Sequence, residues 1–164
     1  MKKILTLLLI LSFNSQVFGA GSDSSSDSSD SSKTSLYDQA VKLVKRAGKL
    51  EKKDKTEKAK KVYSQAFKKL EKAYTSDKNN PDILNYMGYT SRKIGKFEEA
   101  ENFYLKGLDI KPNHNGINEY LGELYVQTNR IEKANERLKI LKNCNCEEYS
   151  ELELIIKTRG TKVY

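Results

Sequence analysis

Displaced by 34 residues, the middle of this sequence lies over itself without a gap. Ile83 meets Ile117, Tyr86 meets Tyr120, Met87 meets Leu121 and Gly88 meets Gly122. Farther along, Phe97 pairs with Ile131, Glu98 with Glu132, Ala100 with Ala134 and Tyr104 with Leu138. A fixed period of this length marks a chain built from stacked supersecondary units, each unable to bury its apolar face alone. The contents of the period predict two helices and a turn. Gly95 and Asn129 stand where a helix ends and positive φ is easily adopted. Pro81 suits the first turn of a helix, and Pro112 stops one. Gly88, Gly122, Ala100 and Ala134 are small, as is needed where paired helices approach closely.

This spacing resembles the tetratricopeptide repeat, whose pattern is a large apolar residue, Leu-Gly, Tyr, Ala, an aromatic and Pro. In the first clear copy those slots hold Leu84, Met87-Gly88, Ser91, Gly95, Phe97, Ala100, Tyr104, Gly107-Leu108 and Pro112. In the second they hold Asn118, Leu121-Gly122, Tyr125, Asn129, Ile131, Ala134, Leu138 and Leu141, with Asn118 and, in the first copy, Ser91 as departures. The resemblance implies an all-α fold, a right-handed α-solenoid of antiparallel helix hairpins.

The two clear units span 81–114 and 115–146. Upstream, Tyr63, Ala66, Leu70, Ala73 and Tyr74 sit one period before Phe97, Ala100, Tyr104, Gly107 and Leu108, so a degenerate hairpin is predicted over 36–80. Its first helix carries Tyr37, Ala40, Val41, Val44 and Ala47 at helical spacing, and its connection, Glu51 to Lys55, is more charged and longer than in the clear copies. Downstream, Tyr149, Leu152, Ile155 and Ile156 predict a capping helix within 147–164, giving about three units and a cap.

Two stretches lie outside this array. Residues 1–20 have the parts of a secretory signal: Lys2 and Lys3, the apolar run from Ile4 to Leu11, and small residues at Gly19 and Ala20. The expectation is cleavage near residue 19 or 20 and an exported, periplasmic or secreted protein. Residues 21–35 are Ser and Asp apart from Gly21, Lys33 and Thr34, with nothing apolar to offset the entropy of ordering, and are expected to be a flexible spacer.

Chemistry is hard to find. His114 lies in the turn Lys111 to Gly116 with no nucleophile or carboxylate at a readable spacing, and is expected to be solvated and without a role. Cys144 and Cys146 have three readings, in order: a local disulfide, favoured in an oxidising compartment; free or intermolecular thiols; a metal site, for which two ligands are too few. Phosphate-loop, dinucleotide and zinc-protease signatures are missing from the sequence. Glu98, Glu99, Glu101, Glu132 and Glu136 fall on solvated sides of second helices. The sequence therefore predicts no enzyme, no cofactor and no metal.

Charge is unevenly placed. Residues 36–76 contain 13 Lys/Arg against 5 Asp/Glu, whereas 77–164 contain 14 of each. One reading is that Lys keeps a terminal unit soluble and stops the array from growing. The other is a handle for an acidic partner, an anionic membrane surface or a polyanion. Nucleic acid is not expected, since no basic pattern interleaved with aromatics is present.

The resemblance also implies where a partner would lie. First helices of such arrays line an inner, concave wall, and the wall positions fall here at Asp82, Asn85, Tyr89, Arg92 and Lys93 in one copy and at Gly116, Glu119, Glu123, Val126 and Gln127 in the next. Tyr89 and Arg92 are the anchor types. The carboxylate grip of one family subset is not expected, because Tyr89 and Glu123 replace its Asn and Glu119 would repel a carboxylate. The expected function is a non-enzymatic adaptor or scaffold holding a partner protein or peptide on this wall. The alternative is an envelope-surface or polyanion-binding protein acting through the Lys-rich first hairpin.

Overall fold

Seven helices in series make up the described residues, 35–160, of the computed structural model. They are α1 (Leu36–Glu51), α2 (Thr56–Ser76), α3 (Pro81–Lys93), α4 (Phe97–Ile110), α5 (Asn115–Gln127), α6 (Ile131–Leu141) and α7 (Glu147–Lys157). The signal at 1–20, the spacer apart from Ser35, and residues 161–164 lie outside the described residues. Ser35 itself is no spacer: its side chain accepts from the Asp38 amide and caps α1.

Side-chain caps start the first helix of each hairpin, α1, α3 and α5. Asn80 caps α3 by accepting from the amides of Asp82 and Ile83, with Pro81 in the first turn where its missing N–H leaves nothing unpaired. Three-residue turns join α3 to α4 and α5 to α6, and each passes through a left-handed residue, Gly95 (φ 88°) and Asn129 (φ 58°). The first hairpin turns over four residues, 52–55, with Asp54 (φ 54°) in the equivalent role. The departure from the clear copies at this turn is thus one added residue and an Asp in place of Gly or Asn.

The helices pair as α1 with α2, α3 with α4 and α5 with α6; α2 packs on α3, α4 on α5, and α7 on both α5 and α6. This is an all-α solenoid of helix hairpins. Its interior alternates large and absent side chains. The fully buried ring of Tyr104 lies over Gly88, where an added Cβ would come within 2.5 Å of the ring. Gly122, the matching residue one period later, is covered differently. Its close neighbour is Leu152 of α7, again at 2.5 Å from an added Cβ, and not its hairpin partner α6. The cap helix thus reaches into the space that Tyr104 fills one unit earlier, because Leu138 is smaller than Tyr.

Candidate functional site

Because α3 is a regular 13-residue helix, Asp82, Asn85, Tyr89, Arg92 and Lys93 project in one stripe, three to four residues apart. Glu119, Glu123 and Gln127 form the corresponding stripe of α5. Arg92 joins the two. Its Nη1 donates to Glu123 Oε2 at 2.5 Å and to Gln127 Oε1 at 3.3 Å. Its guanidinium carbon lies 5.5 Å from the Tyr89 ring centre and 5.7 Å from that of Tyr120. Lys93 is held one helix further back: Nζ reaches Glu51 Oε2 at 2.7 Å and lies 5.7 and 5.8 Å from the Tyr63 and Tyr89 rings. The same Glu51 oxygen accepts from the Tyr63 hydroxyl at 2.9 Å.

The outcome is a row of three tyrosines, Tyr63, Tyr89 and Tyr120, with ring centres 5.9 and 4.9 Å apart and two cations set against them. Beside the row lies a groove of about 480 Å³, lined by Gly48, Glu51, Lys52, Tyr89, Arg92, Lys93, Tyr120 and Glu123. It draws on the first helix of all three hairpins, α1, α3 and α5. Burial by itself would lower the Arg92 pKa, but the Glu123 carboxylate, Tyr104 and Tyr89 together outweigh it and the net shift is upward, so the guanidinium stays charged. Burial raises the phenols of Tyr63 and Tyr120, to which Tyr89 and Glu119 respectively add, and both remain hydrogen-bond donors.

Not every wall residue is where the repeat pattern puts it. Asp82 and Gln127 are exposed, and Tyr89 and Lys93 are half-buried. Asn85, Arg92, Glu119 and Glu123 are buried. Val126 is not on the wall: α7 lies against α5, and Val126 is part of the core between them, with Gly160 close by. Gly116 gives room to the Asn85 amide, whose nitrogen would be 3.0 Å from an added Cβ.

His114 is the plainest correction. It is buried, not solvated, because the turn folds its ring back over the start of α5. Nδ1 accepts from the Ile117 amide at 3.2 Å, capping the helix, so Nε2 carries the proton and donates to Asp82 Oδ1 at 3.0 Å. Asn118, the polar departure from the repeat pattern, donates to the carbonyls of Pro112 and His114 at 3.0 and 3.1 Å. Together these residues clasp the junction between the two clear units. Replacing His114 by Ala is expected to lower stability by about 1–2 kcal/mol, and His114→Asn to recover the capping share but not the Asp82 bond. Urea unfolding of both variants measures this, and equal losses would contradict the assignment. Cys144 and Cys146 are bonded to each other, with Cys146 in the capping position of α7.

Tyr63, Tyr120 and Glu51 belong to the site although sequence reasoning did not select them. Tyr120 was visible as a recurring Tyr, but one residue beside the wall stripe; Tyr63 sat in the core pattern of a second helix; Glu51 was one charge in a charged turn.

A family model described as tetratricopeptide repeat matches residues 81–114. No curated protein matches the chain. Similar solved structures include the type III secretion chaperone SycD of Yersinia enterocolitica in complex with a peptide of the translocator YopD, at 18% identity and a TM-score of 0.48, covering 75% of this chain and 90% of that one. The second tetratricopeptide domain of human RPAP3, in complex with an HSP70 peptide, has 18% identity, a TM-score of 0.46 and coverage of 74% and 98%. The tetratricopeptide repeat domain of Arabidopsis OM64 has 14% identity, a TM-score of 0.47 and coverage of 75% and 98%. The tetratricopeptide repeat model thus matches one unit from end to end, and helix hairpins are stacked before and after that unit.

Proposed function

We propose that the protein is a non-catalytic adaptor that holds an extended or helical peptide of a partner protein along the wall of α1, α3 and α5. The observation that carries this reading is the groove of about 480 Å³ beside Tyr89 and Tyr120, built from three successive first helices. Aromatic faces supply contact area at little conformational cost, and the phenols and Lys52 and Lys93 supply polar orientation. Arg92 is buried in its pair with Glu123, so its part is to position Tyr89 and Tyr120 and not to grip the ligand itself. Export is part of the proposal. The sequence of residues 1–20 supports it, and a bonded Cys144–Cys146 pair fits an oxidising compartment.

Panning a displayed random-peptide library on the purified chain tests the reading. Enriched peptides are expected to lose at least tenfold in affinity for Tyr89→Ala/Gln127→Ala, with the circular dichroism of the variant unchanged. Failure to enrich any peptide, or equal binding to the variant, would overturn it.

A further inference from the structure

A second groove, of about 630 Å³, runs between α1 and α2 and shares no residue with the wall site. Leu36 and Leu43 line it from α1, two turns apart. Lys68, Lys69 and Lys72 line it from adjacent turns of α2, together with Gln65 and Glu71. Lys69 Nζ crosses the groove to Gln39 Oε1 at 2.8 Å, while Lys68 and Lys72 are exposed, and Leu36 keeps 37% of its surface in water. Among the described residues, only α2 and α3 pack on α1, and only α1 and α3 on α2, so this face closes one end of the array.

Two features must be satisfied together: an apolar floor and a cationic rim. A soluble polyanion would meet the lysines and leave Leu36 and Leu43 in water. An apolar peptide would leave the lysines unmatched. An amphiphile with an anionic head meets both. The surrounding charge distinguishes a membrane from a patterned acidic helix. The excess of 13 basic over 5 acidic residues is spread over α1, α2 and the turn between them, which suits the extended negative potential of a lipid surface. Lysine also suits it, since the four-carbon stem can lie along the acyl boundary while the ammonium stays with the headgroups.

We propose that this end of the first hairpin docks peripherally on an anionic phospholipid surface, Leu36 and Leu43 at the acyl boundary and Lys68, Lys69 and Lys72 on the headgroups. The docking is peripheral, for no described helix is long and apolar enough to cross a membrane. It leaves the tyrosine wall open and does not depend on the adaptor reading.

The chain contains no Trp, so Leu36→Trp introduces a single reporter at the proposed boundary. The experiment uses residues 21–164, which retain every described helix. With vesicles containing phosphatidylglycerol, the Trp emission is expected to shift to the blue and the protein to float with the lipid. With phosphatidylcholine alone neither should occur. Lys68→Glu/Lys72→Glu, both at exposed positions, should keep the melting temperature and lose about a hundredfold in vesicle affinity. The proposal is overturned by absence of flotation, by equal binding to both lipids, or by binding to anionic vesicles without a blue shift. A blue shift with an acidic amphipathic peptide but not with vesicles would likewise overturn it, in favour of a protein partner.

Discussion

Arg92→Ala is expected to destabilise the solenoid by about 3–5 kcal/mol, the range for removing one member of a buried ion pair while the charge of the other stays buried. Glu123 would keep its buried position while losing the guanidinium at 2.5 Å. Two tyrosine faces would lose their cation as well. The size of the loss is not the worth of the pair. Replacing both charges by apolar residues of similar volume, Arg92→Met/Glu123→Leu, is expected to recover most of it, since desolvating the two ions offsets much of their attraction. Urea unfolding of the wild type, the single and the double variant separates these terms. A single variant within about 0.5 kcal/mol of wild type would show that the pair is solvated after all.

Leu152→Ala should cost about 2–5 kcal/mol, the range for emptying a fully buried Leu site. The cavity would be hard to fill, since the facing position, Gly122, has no side chain to move inward. The same geometry makes a double-mutant cycle decisive. Gly122→Ala alone places a methyl 2.5 Å from a Leu152 methyl and must displace it, whereas in the Leu152→Ala background that methyl enters vacated space. The second substitution is therefore expected to be unfavourable alone and favourable in combination. Thermal unfolding of the four proteins reads the sign, and additive effects would place α7 elsewhere. Leu154, on the exposed side of the same helix, should tolerate Ala within about 0.5 kcal/mol.

Much of the fold was legible because it is written in spacing. The 34-residue register identified the hairpins, and positive φ at Gly95 and Asn129 is what those residue types permit at a helix end. The site was legible only in part. Tyr89, Lys93, Asp82 and Gln127 follow from helix periodicity, which tells which residues share a face. It does not tell what covers that face. Burial of Val126 depends on α7, which packs over α5 through Leu152, 30 residues beyond Gly122. The pairing of Arg92 with Glu123 is likewise a contact between units, invisible to a pattern that treats each unit as a copy. His114 was misjudged for the same reason: its partners are one helix turn ahead in sequence and 32 residues behind.

The clasp at His114 also bears on how such an array can change its length. Asp82 stands at the start of a unit and His114 at its end, so residues 81–114 carry both halves of the fastening. A tandem duplication of that segment would supply each new junction with an Asp from one copy and a His from the same copy, in register. Insertion of part of a unit would separate them. At the other end, α7 occupies the slot against Gly122. Growth by gene duplication is thus open in the interior of this chain, in whole units.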